Sequence, residues 1–332
     1  MPIIDSNELK VFRAANQSDL STNGGRMSTT ALTSGVLGAL FPNVGDAERT
    51  AGSTKYRKGF FKIDHNGPEA LLDCRLYQDK NTVGDDRIVF FIGTFTDTQA
   101  NITGSERKYG CGNLGVTANS GATSLSVTVE TGTTGIYQNG DTIRITNKAS
   151  IGASGDEEFL TISNVSQVSD TVTMDISPAL SYTFSNTNTR VASVYAPGNL
   201  KAELSGTVSV VSTAGTFDNN NYPIVFNDKS TVYDTWTLTF TSATNFNIVG
   251  SHTGSVGTGT VSGGASPTNP AFALPYFTIP SGSFGGTFAT NDTVVFTSKP
   301  AAIPVWLRRV VPAGAGTAAS STATIAIEGG TA

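Results

Sequence analysis

SLSVTVE (124–130), TIRITNK (142–148), EFLTISNV (158–165), TVTMDI (171–176) and TRVASVY (189–195) follow one another between short polar turns. Most of these runs alternate a β-branched or aromatic residue with a polar one. Successive side chains of a strand point to opposite faces, so each run has one apolar face to bury. Short strands at regular spacing with Gly and Asp between them predict a small sandwich or barrel. The stretch reads as a complete β module, and it contains no reactive constellation.

The chain around it is of the same kind. At 332 residues it is long enough for two or three domains. Charged residues make up 14% and aromatic residues 9%, with 18 Phe, a balance that predicts folded β-structure over disorder. The net charge of -5 argues against a nucleic-acid partner, whose phosphates require clustered Lys and Arg. No run approaches the roughly 18 apolar residues of a membrane span, and MPIIDSNELKVFRAANQ carries charges where a secretory core would be apolar. Neither a membrane partner nor a secretory route is expected. Cys74 and Cys111 are the two cysteines, and a chain with its own core does not require a bridge between them.

Charge divides the chain. Residues 1–112 hold 13 basic and 13 acidic residues, whereas the remainder holds 8 and 13 and carries the whole net charge. In the first part, Ile3–Phe12 reads as a strand. The polar loop Asn16–Ser28 follows, with the pair Gly24-Gly25 and then Arg26. Thr29–Phe41 is the best helix candidate, weakened by Gly35 and Gly38 and stopped by Pro42. Phe60–Ile63, Leu71–Tyr77 and Arg87–Phe95 read as strands. Among them Ile88-Val89-Phe90-Phe91-Ile92 is continuously apolar, a strand buried on both faces or one that meets a partner.

A second β module is expected over 199–299. Its strands would be Thr207–Ser212, Pro223–Asn227, Trp236–Ser242, Phe246–Ser251, Tyr276–Pro280 and Thr293–Ser298. Gly254–Pro270, rich in Gly, Ser and Thr, reads as an exposed loop or hairpin tip. The last part holds an apolar run through Trp306, Arg308 and Arg309, a low-complexity Ala/Ser/Thr stretch, and a final strand over Ala323–Glu328. The expected fold is all-β and multi-domain. A base of 1–112 plus 300–332 would be completed by the returning tail, with sandwich- or barrel-like modules at 113–198 and 199–299 inserted in it.

Chemistry is sparse. His65 and His252 are the two histidines and read as turn or surface residues, and no paired-cysteine zinc spacing exists. A nucleophile elbow, a phosphate loop and a dinucleotide fingerprint are all missing from the sequence. No catalytic or metal residue and no cofactor is therefore expected. Asp156, Glu157 and Glu158, and Asp218 with Asp228, supply oxygens that calcium would accept, but they lack the spacing of a known calcium loop, and solvated turns are the expectation. Arg57 with Lys58, and Arg308 with Arg309, read as cations paired with acids across a subunit interface.

Two terminal stretches carry a resemblance. Ser18-Asp19 through Asn23-Gly24-Gly25-Arg26-Met27-Ser28, and Lys299-Pro300-Ala301-Ala302-Ile303-Pro304-Val305-Trp306 through Arg309-Val310-Val311-Pro312-Ala313-Gly314, resemble segments of structural virion proteins of contractile-tailed bacteriophages. The resemblance covers the two ends of the chain and implies a ring-forming, non-enzymatic component of the virion, assembled in the bacterial cytoplasm. A neck or collar position at the head–tail junction leads, with baseplate or other tail positions next. It implies a homo-oligomer of six or twelve copies, contacting other virion proteins. Interface residues would come from Gly24, Gly25, Arg26, Ile88, Phe90, Ile92, Trp306, Arg308 and Arg309. The alternatives are an adhesin of baseplate, tail-fibre or capsid-decorating type that binds host glycan, and a polysaccharide-degrading tail enzyme.

Overall fold

A computed structural model describes residues 4–331. Strands account for 50% of the chain and helix for 5%, so the fold is all-β and built from several sheets. In chain order the first strands are β1 (Leu9–Asn16), β2 (Gly24–Ala31), β3 (Ser53–Ile63), β4 (Leu71–Lys80), β5 (Arg87–Ile92), β6 (Lys108–Tyr109) and β7 (Cys111–Leu114). Next come β8 (Ser124–Thr128), β9 (Thr142–Thr146), β10 (Glu157–Val168), β11 (Thr171–Ser177), β12 (Arg190–Leu200) and β13 (Glu203–Val211). Five short or medium strands follow: β14 (Ala214–Phe217), β15 (Val225–Phe226), β16 (Asp234–Phe240), β17 (Asn245–Gly250) and β18 (Gly254–Thr260). The chain ends through β19 (Thr268–Asn269), β20 (Leu274–Pro275), β21 (Phe277–Thr278), β22 (Phe284–Thr287), β23 (Thr293–Lys299), β24 (Ala302–Val311) and β25 (Thr324–Thr331).

The two ends of the chain build one sandwich. Its first sheet runs β2-β1-β3-β24-β5-β6, so β24 from the C-terminal part lies between β3 and β5. Leu307 stands opposite Phe90 and Arg57, and Val305 opposite Ile92 and Gly59. The apolar run Ile88–Ile92 thus finds its pairing partner within the chain. The second layer is β25-β4-β12, and Phe61, Ile63, Phe90, Val305 and Leu307 share one core with Leu71, Cys74 and Leu76.

The alternating stretch of the middle closes on itself. Strands β7, β8, β11, β10, β9 and β12 pair in that order, and β12 also pairs with β7, which makes a closed antiparallel barrel. Closure leaves no edge for another chain to join. The inward positions are the apolar ones of the sequence pattern: Leu125 and Val127, Ile143 and Ile145, Leu160 and Ile162, Val172, Met174 and Ile176. Strand β12 does two jobs. Arg190–Val194 belong to the barrel, and Val194–Leu200 pair with β4 of the sandwich. Pro197-Gly198 is therefore a bulge inside a continuous strand, with Gly198 at φ +83°.

Residues 203–299 form a five-stranded antiparallel sheet, β13-β23-β16-β17-β18, covered by three two-stranded ribbons. The core between sheet and ribbons is aromatic: Trp236, Phe240, Phe246 and Phe296 of the sheet are buried with Phe277 of β21 and Phe288, which follows β22. Phe240 and Phe288 stack with centroids 3.9 Å apart. This core is continuous with that of the sandwich.

Three local expectations are corrected. Thr29–Phe41 is not a helix: β2 runs through Ala31, and Gly35 and Gly38 take φ of +79° and +73°, which right-handed helix forbids. The helix there is one short turn, α1 (Asp46–Ala51), beyond Pro42. Ile3–Phe12 begins as a strand only at Leu9, after a 3-10 turn at Ser6–Glu8; its first residue lies outside the described residues. Gly254–Pro270 is no simple loop, because Gly254–Thr260 is the edge strand of the five-stranded sheet and Ala265 and Asn269 are buried.

Candidate functional site

Gly24, Trp306, Lys58 and Asp97 come together on one face of the first sheet. Trp306 and Lys58 are fully buried, and the indole Nε1–H donates to Asp97 Oδ2 at 2.8 Å. The Lys58 ammonium donates to Asp97 Oδ1 at 2.6 Å, Gly25 O at 2.7 Å and Asp97 O at 3.0 Å, so all its protons are used. Burial holds the Lys58 pKa below the ordinary lysine value, against the opposing pull of Asp97. Gly24 is required for contact: at φ +100°, a Cβ would lie 2.6 Å from Trp306 Cη2. Arg26 lies next to this cluster and reaches the third sheet, donating to Tyr233 O at 2.5 Å. The arrangement ties the N-terminal loop, the 93–98 turn and β24 into one unit.

The remaining residues expected at a subunit interface are placed as follows. Phe90 is fully buried and Ile88 and Ile92 are half-buried against the sandwich core. Arg309 is 4% exposed and its acidic partner comes from its own chain, Glu48 Oε1 at 3.2 Å, with Pro42 O at 2.7 Å. Arg57 likewise pairs with Asp19 at 2.6 Å. The expectation that acids of a neighbouring subunit satisfy these cations is thereby corrected: helix α1 and the 16–23 loop supply them. Arg308 differs. It projects from the opposite face of β24, is half-exposed, and has no carboxylate within ion-pair distance among the described residues.

Two further charge networks were not foreseen. Where the barrel meets the sandwich, Arg144 projects outward from β9. It donates to Asp79 Oδ1 at 2.7 Å, binds Glu157, and lies 4.5 Å over the Tyr77 ring. Arg190 from β12 reaches the same Asp79 carboxylate at 3.2 Å. Asp79 and Arg144 are 1% and 2% exposed, so loss of either partner would leave an uncompensated buried charge between the two units. The alternation TIRIT carried the signal, since Arg144 occupies the outward position of an otherwise ordinary barrel strand.

The second network lies where the sandwich meets the five-stranded sheet. His65 stands between Glu8 and Glu69, with Nδ1 at 2.8 Å and Nε2 at 3.1 Å. Lys62 is fully buried and donates to Lys229 O at 2.8 Å. Asp64 takes Lys10 at 2.5 Å and lies 3.6 Å from Lys62. Asp228, also fully buried, accepts the Ala202 N–H on one oxygen, and its other oxygen has no hydrogen-bond partner.

The acids weighed as calcium ligands face separate partners. Asp156 takes Asn147, Glu157 takes Arg144 and Lys148, and Glu158 takes the Ser181 and Tyr182 amides. Asp218 caps Asn220 and Asn221, far from the duties of Asp228. Among the described residues no three or more His, Cys, Asp or Glu side chains are arranged to hold a metal ion. His252 is exposed, and its amide caps onto Asp234. Cys74 and Cys111 are buried and free, and burial pushes each thiol up to about 12. A groove of about 890 Å³ with mixed polar and apolar walls opens between the 32–44 and 315–323 loops, above Phe61, Leu307 and Ile325. No helix among the described residues is long and apolar enough to cross a membrane. Compared with known protein families, with curated proteins and with solved structures, the chain matches none.

Proposed function

We propose that this chain is a non-enzymatic structural subunit of a tailed-bacteriophage virion that assembles as a symmetric ring, with the neck at the head–tail junction as its leading position. One observation carries the assembly reading. The five-stranded sheet ends in two edge strands, β13 and β18; each has one bulge, between Ser205 and Ser209 and between Ser255 and Gly257, but no lysine or proline. From Leu204 to Phe217 there is no charged residue and no proline, and between Asp234 and Asp292 there is no Asp, Glu, Lys or Arg at all. Edge strands of soluble proteins commonly carry charge or proline as further protection, because bare N–H and C=O rows pair with other chains.

Two such edges on opposite sides of one sheet suit head-to-tail pairing, β18 of one copy against β13 of the next. That single heterologous contact repeats until the rotation closes a ring. Many charged groups of the base pair inside the chain, whereas Arg308, like Lys80, Arg87 and Lys108, has no ion pair among the described residues and is available to a neighbour. Both tryptophans are fully buried, which weighs against a sugar-stacking platform and so against the adhesin reading. The virion placement, and a ring of six or twelve, rest on the resemblance of the terminal segments.

Cryo-electron microscopy of the intact particle, with this chain traced in it, tests the reading. The expected result is a ring at the neck with β13 and β18 of adjacent copies in one sheet. Absence of the chain from purified virions, or a purified monomer that binds or cleaves host glycan, would overturn it.

A further inference from the structure

We infer that the junction between the sandwich and the five-stranded sheet is a proton-operated clasp, in which the 227–231 loop closes on the 64–69 turn when Asp228 carries a proton and loosens when it does not. The two units share an apolar core, and the hydrogen bonds that fasten the 227–231 loop over it are few. Asp228 N–H donates to Gly67 O at 2.9 Å, Asn227 Nδ2 to Asn66 Oδ1 at 2.9 Å, and Lys62 Nζ to Lys229 O at 2.8 Å. Besides the Ala202 N–H, the groups that act on Asp228 are ionisable, and they are linked to further charges. Strand β1 and the turn before it bring Lys10 and Glu8, β3 brings Lys62 and Asp64, the β3–β4 turn brings His65 and Glu69, and Lys229 adjoins it in its own loop.

Geometry selects Asp228 as the switch. It is fully buried, and Oδ2 has no hydrogen-bond partner. An ionised carboxylate in that position leaves a buried charge half-solvated, whereas a protonated one does not. Asp64 Oδ1 and Glu69 Oε2 are also buried without hydrogen bonds, but each has a cation within ion-pair distance, Lys62 and His65, which Asp228 Oδ2 does not. The titration directions agree. Burial first, and then Glu69, push Asp228 up from 3.8 to about 7, against its bond from Ala202 and the pull of Lys62.

The sign follows from proton linkage. Once the loop opens to water, Asp228 returns to its ordinary range, so the closed form binds the extra proton between 3.8 and about 7. Closure is favoured below that window and lost as pH rises through 7. His65 works in the same direction. Burial lowers its pKa, but Glu8 and Glu69 raise it by more, so the closed form holds that proton too. Lys62 opposes both: burial draws it down to about 8, so closure regains strength only as pH climbs above 8. The clasp is weakest between 7 and 8.

Hydrogen exchange of the full chain tests this, with each amide rate corrected for its intrinsic pH dependence. Protection of peptides covering 64–70 and 226–233 should fall up to about tenfold per pH unit between pH 5 and pH 7, while the barrel strands stay constant. In Asp228→Asn the neutral amide mimics the protonated acid, so protection should be high and flat with pH. A protonated-carboxyl infrared band near pH 6, present in the native chain, should vanish in the same variant. If Asp228→Asn fails to fold, the native profile alone decides. Protection that does not change with pH, or a profile in Asp228→Asn that still follows pH as in the native chain, would overturn the clasp.

Discussion

Trp306 and Asp97, 209 residues apart in sequence, are joined by a 2.8 Å hydrogen bond from the indole Nε1–H to Oδ2. The same carboxylate neutralises Lys58, which is 0% exposed. Removing it strands a buried ammonium. Asp97→Ala is expected to cost about 3–5 kcal/mol, the usual penalty for breaking a buried pair by deleting one partner. Gly24→Ala should also destabilise, since φ of +100° and the 2.6 Å approach to Trp306 both disfavour a Cβ. Urea unfolding followed by tryptophan fluorescence would measure both. Stabilities equal to that of the native chain would show that this cluster does not tie the termini together.

The two adjacent arginines of β24 should separate folding from assembly. Arg309→Glu places a carboxylate beside Glu48 in a site 4% exposed for the native residue, so the base should unfold or melt well below the native chain. Arg308→Glu changes a half-exposed side chain with no intramolecular ion pair, and the monomer should melt as before. Its loss of incorporation into assembled particles would mark the neighbouring subunit's surface as acidic at that point. Normal incorporation of Arg308→Glu would remove Arg308 from the interface.

The architecture was legible where a pattern has a single physical solution. TVTMDIS alternates and β11 buries every second residue, as period-two patterning requires. The return of the tail was legible because Ile88–Ile92 needed partners. Closure of the barrel was not, because alternation reports which face is buried and says nothing of whether β9 meets β12. The helix at 29–41 failed for a different reason: apolar residues such as Leu40 and Phe41 pack on the sandwich core from a loop shaped by left-handed glycines. The charge networks were hidden for want of local signal. Asp228 meets the 64–69 turn across about half the chain, and only the folded topology brings them together.

Barrel and sandwich share β12, so the viable deletion is set by register. Asn113 lies opposite Arg190, and Leu114 N–H donates to Thr189 O at 2.9 Å. Replacing residues 115–188 by Asn-Gly would join β7 to β12 through a two-residue hairpin turn. The shortened chain is expected to fold, keeping Val194–Leu200 paired with β4. Deleting 300–332 instead removes the strand between β3 and β5 and should unfold the base. Soluble expression with a cooperative melt for the first, and its absence for the second, is the readout. The reverse result would show that the barrel is needed for the sandwich to fold.

Cys74 and Cys111 offer a check on burial that needs no mutation. Both thiols are pushed up to about 12 by burial, so thiolate is scarce at neutral and mildly basic pH. A thiol reagent at pH 8 should find neither in the native chain and both after denaturation without reductant. Rapid labelling of native protein would mean that β4 or β7 opens readily. An unreactive denatured chain would mean that the two are joined.

Edge pairing of the five-stranded sheet makes a demand that face-to-face docking does not. Val211 on β13 is 65% exposed, and Thr258 on β18 is exposed, so a lysine at either position leaves the monomer core untouched. A charge on the edge strand nevertheless opposes addition of another strand, by which natural sheets protect themselves. Val211→Lys and Thr258→Lys are therefore expected to leave the far-ultraviolet spectrum and the melting temperature unchanged while shifting the chain from ring to monomer in light scattering. Val249→Lys is the control. Val249 is 41% exposed on β17, which is paired on both sides, so the change alters the face and leaves both edges as they are. That variant should assemble like the native chain. If Val249→Lys blocks assembly while the edge variants do not, the copies meet through the sheet face, and a continuous sheet across subunits is ruled out.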